Sequence, residues 1–272
     1  MYHWNWSVLW ATTADGTSTY LGTLLMGLGW TLVVGLSAWV IALLIGAAVG
    51  IARTFPSGFS AAGPLPGQEN PPGRQRTSRS GEAWGSFLAR AAAVYVECLR
   101  SVPLIVQMFL WFYVAPDLLP SGPAAAIKAW DKYNIVAAII CLALFTSARV
   151  AEQIRAGIQA IPRGQIQAAR ALGMGTAQAY RYVLVPVAFR KILPALTNEF
   201  VNIIKNSSVA FTIAVVELMA ATRSMQEMTF QVFEAFTAAT IIYLAVNLLV
   251  VQLMNLIERR LEVPGLSIRK AR

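Results

Sequence analysis

The chain has 272 residues, of which 57% are hydrophobic and only 13% charged. A water-soluble domain carries about 25% charged residues, so that class is excluded. The net charge of +9 invites a nucleic-acid reading, but 16 of the 22 Lys and Arg fall in 53–90, 154–191 and 258–272, and cations confined to alternate loops mark membrane topology instead.

Residues 1–20 contain no Lys or Arg, so the basic region of a cleavable signal peptide is missing and the first apolar segment is expected to be retained. Trp4, Trp6, Trp10 and Tyr20 precede that segment, as the residues of an interfacial aromatic belt do. Gly16 to Ala52 runs without a charge, which predicts a long first span over about 22–52. The stretch 56–86 is rich in Pro, Gly and Ser and poor in large apolar residues. It is expected to be a disordered loop, since it buries too little surface to offset chain entropy.

Four further apolar segments follow at about 87–115, 134–154, 195–216 and 235–257. Ionisable residues interrupt three of them: Glu97 and Arg100, Arg149 and Glu152, Glu199 and Lys205. The predicted fold class is an all-α integral membrane protein with about five transmembrane helices. Charge placement puts loops 53–90 and 154–191 and the tail 258–272 inside, and the N-terminus and loops 116–133 and 217–234 outside. The predicted organisation is an outer segment 1–20, a transmembrane domain 21–257 and an inner tail 258–272. Cys98 and Cys141 lie in apolar sequence and read as small buried hydrophobes.

Between the third and fourth spans lies a cationic segment, 161–186, with no Asp or Glu. Pro162 is suited to the first position of a helix, where its missing N–H costs nothing. Ile161, Ala168, Ala169 and Leu172 then share a face at helical spacing. Gly173 suits the left-handed residue that closes such a helix. Thr176 is placed to cap a second helix with an apolar stripe of Tyr180, Val183 and Leu184, and Pro186 follows. Two short helices at an angle, with small residues at the bend, make a shape that inserts into a groove on a partner. The competing reading is an amphipathic loop lying on the membrane surface.

Within this segment the pattern QAA-x3-Gly-x9-V-x-V-P (Gln167, Ala168, Ala169, Gly173, Val183, Val185, Pro186) closely resembles the EAA loop of ABC importer permeases. YVECLRSVPLIVQMF (95–109), SARVAEQIRAGIQAIPRGQ (147–165), NEFVNIIKNSSVAFTI (198–213) and ERRLEVPG (258–265) resemble the corresponding segments of the polar amino-acid permeases in that family. Within the family, FTSARVAEQIRAGIQAIPRGQ and AYRYVLVP are most similar to glutamate/aspartate permease subunits.

The resemblance implies a non-catalytic subunit of a bacterial inner-membrane importer, with a periplasmic N-terminus and a cytoplasmic C-terminus. The implied partners are two copies of an ABC ATPase docking on the 161–186 coupling hairpin, a second permease subunit forming a heterodimer, and a periplasmic amino-acid-binding protein. ATP would be used by the ATPase, and no cofactor is expected on this chain. Two departures stand out. The motif's usual Glu is Gln167 here, and the insert 56–86 is longer than the family leads one to expect.

Ionisable residues inside a bilayer cost at least about 2.5–3.5 kcal/mol on insertion scales and need a reason. Glu97 with Arg100, and Arg149 with Glu152, are three apart on one helix face and are placed for local pairing. Glu97, Arg100 and Glu152 are expected to fix helix packing or gating. Arg149 stands where the resembling permeases often carry Tyr, so two readings are open. It pairs with Glu152, or its planar fork holds a substrate carboxylate. Asn198, Glu199, Asn202 and Lys205 share a broad face of the fourth span. That face either lines a substrate pathway or hydrogen-bonds to the paired subunit. Thr240, Tyr243 and Asn247 form a weaker stripe on the fifth span.

No G-x4-G-K-[ST] phosphate loop is present, and the one histidine is His3, so ATP binding by that loop and histidine-based chemistry are excluded. The alternatives are the same importer type with another polar amino acid such as glutamine, a stand-alone secondary transporter, and a membrane anchor. A secondary transporter would show repeated halves with broken helices, and the sequence shows none.

Overall fold

The computed structural model describes residues 3–54 and 79–261, with side chains from Gly85 onward in the second stretch. The expected insert at 56–86 therefore lies outside the described residues up to position 78, and 79–86 open the second helix. The tail beyond Leu261 also lies outside them.

Among the described residues the architecture is helical, with one isolated bridge, Thr12 to Thr19. The helices are α1 (Tyr20–Thr54), α2 (Arg79–Ser101), α3 (Leu104–Phe109), α4 (Ser121–Lys128), α5 (Tyr133–Gln159), α6 (Arg163–Ala171), α7 (Thr176–Ala179), α8 (Val185–Asn206), α9 (Leu218–Thr229) and α10 (Val232–Leu261). Tight 3-10 segments add Trp6–Trp10, Ala115–Leu118 and Ser207–Ile213, and wide π turns add Leu110–Val114 and Tyr180–Leu184.

α1, α5 and α10 are each long and apolar enough to cross a bilayer. Two more spans are broken helices: Gly85–Ser101 with Leu104–Leu118, and Thr176–Ile213 with Leu218–Thr229. With each pair taken as one span the total is five. The breaks have local causes. Pro103, in extended backbone, precedes α3 and stops α2 from continuing. Ala214 ends the 3-10 stretch at φ 60°, and the chain bends by 53° before α9. In the most apolar stretches, 56% of α5 residues are buried against 6% of α10 residues. An α10 left bare on this chain is a helix for lipid or a partner.

The described chain divides into two compact units, 1–42 with 102–146 and 200–253, and 43–101 with 147–199 and the C-terminal stretch. In the first unit, Tyr20 and Leu24 of α1 pack on Leu218 and Met225 of α9 and Ala235 of α10. α1 approaches α9 so closely at Gly27 that a Cβ there would lie 3.0 Å from the Glu217 carbonyl oxygen. Trp39 stacks on Phe200 at 5.1 Å. The segment 217–234, expected as an outer loop, is largely α9, with Leu218, Ala221, Thr222 and Met225 buried. In the turn before α1, hydroxyls of Thr13 and then Thr17 donate to Asp15 and hold its carboxyl below the usual range.

In the second unit the helices meet at glycines. A Cβ at Gly46 would lie 2.6 Å from Val150, one at Gly50 2.7 Å from the Ala151 carbonyl, and one at Gly157 2.5 Å from Ile192. Side-chain-free positions let α1 and α8 lie directly against α5, the close packing on which helix association in a bilayer depends.

Candidate functional site

The hairpin predicted over 161–186 lies in the second unit. Pro162 has φ −57° and ψ 136° and precedes the helix, which begins at Arg163. The proline is thus the cap and not the first helical residue, because its ψ is extended. α6 closes on a Schellman arrangement: the Gly173 N–H donates to the Arg170 carbonyl at 2.9 Å and the Met174 N–H to the Ala169 carbonyl at 3.1 Å. Gly173 has the expected left-handed conformation, at φ 73°.

The second helix is capped by Gly175, not Thr176, and the Gln178 side chain accepts the Gly175 N–H at 3.0 Å. Ile161, Ile166 and Ala169 are buried, whereas Ala168 is exposed and Leu172 is 76% exposed. The expected apolar face is therefore split. One half seats the hairpin on its own unit, and the other leaves an apolar tip at the bend. Gln167 and Val183 are half-buried.

Pro186 does not end the second helix. α7 passes through the π turn at Tyr180–Leu184 into α8. A wide turn just before a proline absorbs the missing N–H and makes room for the ring, so hairpin and fourth span are one continuous helical stem. The stem is held at its base. The Tyr180 hydroxyl donates to the Thr54 carbonyl at 2.6 Å, and the Lys191 ammonium donates to the Ala160 carbonyl at 2.9 Å just past the end of α5.

Among the described residues, two of the three ion pairs of the second unit join different helices. Arg149 does not meet Glu152. It donates to both carboxylate oxygens of Glu199, Nε at 2.6 Å and Nη2 at 3.2 Å. The Glu199 side chain is 7% exposed and that of Arg149 40%. Glu152 is shared by Arg53 of α1, at 2.5 Å, and Arg155 of its own helix, which also donates to Gln159 at 2.6 Å. Glu97 and Arg100 are both exposed, and the ion pairs of the described residues do not include them. For Arg149 the reach across to α8 outweighs the three-residue spacing to Glu152, whose near partner on α5 is Arg155 instead. The remaining predicted polar residues of α8 lie along one side of that helix: Asn198 and Lys205 are exposed and Asn202 is half-buried.

The first unit holds an acid that sequence reading missed. Glu217 is fully buried. It caps α9, accepting the Ala220 N–H at 2.9 Å, and accepts the Tyr243 hydroxyl at 3.0 Å and the Thr31 hydroxyl at 3.3 Å. The Leu218 N–H in turn donates to Thr31 Oγ1 at 3.1 Å. Glu234, also fully buried, accepts the Asn5 N–H at 2.6 Å, which ties the N-terminal segment to α10. A signal existed for Glu217: an acid directly after the apolar run Ile213–Val216 and directly before a helical pattern marks a helix start. Tyr243 belongs to the polar stripe foreseen on the fifth span.

The family described as binding-protein-dependent transport system inner membrane component matches residues 80–263. The chain is 38% identical over 265 residues, 96% of each sequence, to the glutamate/aspartate import permease protein GltJ of Escherichia coli K12. It is 40% identical over 166 residues to the nopaline transport system permease protein NocM of Agrobacterium fabrum, covering 60% of this chain and 68% of that one. Among solved structures it resembles a chain of an amino acid ABC transporter crystallised with histidines, with a TM-score of 0.67 and 30% identity over 89% of this chain and 95% of that one.

Proposed function

Because the chain belongs to the family of inner membrane components of binding-protein-dependent transport systems, we propose that it is the membrane-spanning subunit of an ATP-driven importer of glutamate and aspartate. The observation that carries the substrate is the 38% identity to a glutamate/aspartate permease across 96% of both chains.

In this reading the chain makes and breaks no covalent bond. A binding protein delivers the amino acid on the periplasmic side, and a second, different permease subunit completes the pathway. Two copies of an ATPase drive the cycle from the cytoplasm. The alternation of basic and neutral loops supports a periplasmic N-terminus and a cytoplasmic C-terminus. The ATPase grips the bend at Leu172–Gly173, where an exposed leucine sits beside a glycine with nothing within 4 Å of its Cβ position. Gln167, Ala168, Ala169, Val183 and Pro186 shape that handle. The continuous stem of α7 and α8 carries the push into the membrane. Arg149, on the pathway, presents an always-charged planar fork to a substrate carboxylate, and Asn198, Asn202 and Lys205 on the polar side of α8 attend its passage. Glu152 belongs to the frame. Glu97 and Arg100, exposed on α2, act in gating.

The test is ATPase activity of the reconstituted complex with loaded binding protein outside, comparing wild type with Gly173→Asp. Space at Gly173 lets the substitution fold, at a cost of about 1 kcal/mol for its left-handed backbone. The expected result is stimulation by glutamate and aspartate in the wild type, lost in an assembled mutant. Stimulation by glutamine alone would overturn the substrate, and absence of any ATPase partner would overturn the importer.

A further inference from the structure

The two helices that flank the hairpin, α5 and α8, touch in two ways within the second unit. Near the hairpin the contact is backbone-close. Gly157 faces Ala188 and Ile192 with no room for a Cβ, and Lys191 binds the Ala160 carbonyl. Seven to eight residues further along each helix, about 10–12 Å at helical rise, the contact is the Arg149–Glu199 fork. A packed contact of this kind is a fulcrum, since its atoms cannot separate without opening a void. An ion pair with one partner partly in water is releasable, because its arginine has other ligands to take.

We propose that Arg149–Glu199 is a latch that Glu199 closes as an internal stand-in for the substrate's carboxylate. This rests on the importer reading above. With no acidic substrate bound, Glu199 neutralises Arg149 and ties the two stems together. A push on the hairpin turns the α8 stem about the Gly157 contact and draws Glu199 off the fork. The freed guanidinium then binds the incoming carboxylate. Net charge at the fork is the same in both states, so the exchange leaves no bare cation in the membrane, and the displaced Glu199 carboxylate must turn to the watery side of the pathway or take up a proton. Glu199 is thus a specificity-determining residue that never binds the substrate itself: it favours ligands whose anionic group is able to replace its own.

The experiment uses the full reconstituted complex and reads two quantities, the substrate-independent ATPase rate and the half-saturating concentration of glutamate. Glu199→Gln opens the latch and leaves Arg149 in place. The expected result is a substrate-independent rate raised about 5–10-fold, the scale of an ordinary coupling energy, with no rise in half-saturating glutamate. A double variant, Arg149→Met with Glu199→Leu, removes both charges at similar volume, a change that buried ion pairs tolerate. It is expected to raise the substrate-independent rate likewise and to lose the preference for glutamate over glutamine. An unchanged substrate-independent rate in both variants overturns the latch. So does failure of both to assemble, which would make the pair a structural strut. If wild type responds only to a neutral amino acid, the substrate reading falls, while the substrate-independent rate still decides whether the pair is a latch.

Discussion

The two units hold their inward-facing acids in opposite ways, Glu217 and Glu199 buried and Glu152 half-buried. In the first, Glu217 is wrapped by neutral donors: a helix N-terminus and the hydroxyls of Thr31 and Tyr243. In the second, Glu152 and Glu199 are held by arginines reaching in from α1 and α5. Neutral donors fixed by the backbone have no alternative partner, so that arrangement is a joint. Arginines on long stems exchange partners at little cost, so the other arrangement is a set of contacts fit to move. The hairpin lies in the unit with the exchangeable contacts.

The largest effect expected from breaking this contrast comes at Glu217. Glu217→Ala removes a cap and strands two buried hydroxyls, and it should destabilise the purified chain by about 3 kcal/mol. Thermal unfolding in detergent measures this, and a loss under 1 kcal/mol would show that the joint is dispensable. Gly157→Ala comes next. Its Cβ would meet Ile192 at 2.5 Å, an overpacking that costs about 1–3 kcal/mol. Pairing it with Ile192→Ala should recover most of that loss.

Glu152→Gln leaves Arg53 and Arg155 without their shared anion, worth about 1–2 kcal/mol for side chains 18–28% exposed. The sharper discriminator is salt. Raising ionic strength from 0.1 to 1 M shortens the screening length from about 10 to about 3 Å. The Glu152→Gln deficit should shrink over that range while the Glu217→Ala deficit holds. Equal salt dependence at both sites would dissolve the distinction between joint and movable contact. The smallest effect is at Tyr180→Phe, which loses one buried hydrogen bond to Thr54 and about 1 kcal/mol. The same variant should loosen the hairpin, read as faster amide exchange in α6 and α7 than in α9.

The spans and the hairpin were legible in the sequence because their signals are local. Apolar runs, alternation of cationic loops and a glycine at a helix end each act within a few residues. Gly173 is the clearest case, since its left-handed backbone follows from the end of α6 alone. The pairing of charges was not legible. Arg149 lies three residues from Glu152 and 50 from Glu199, yet meets the latter, because α5 and α8 are brought together by Gly157. Sequence spacing describes one helix, and an ion pair between two helices depends on the packing of both. The caps at Pro162 and Gly175 missed by one residue for a smaller reason, since helix ends are set by ψ and not by residue type alone. Thr31 and Tyr243 gave no sign of sharing an acid, because their partner sits at a break that hydropathy reads as a loop.

The π turn at Tyr180–Leu184 also sets a phase. One turn there carries more than the usual 3.6 residues, so every side chain downstream is rotated relative to the hairpin by that surplus. Deleting a single residue from 180–184 would turn α8 by about 100° about its axis and swing Glu199 away from Arg149, with neither residue altered. The direction in which the fourth span points its charges is therefore written ahead of it, in the count of residues in one loose turn.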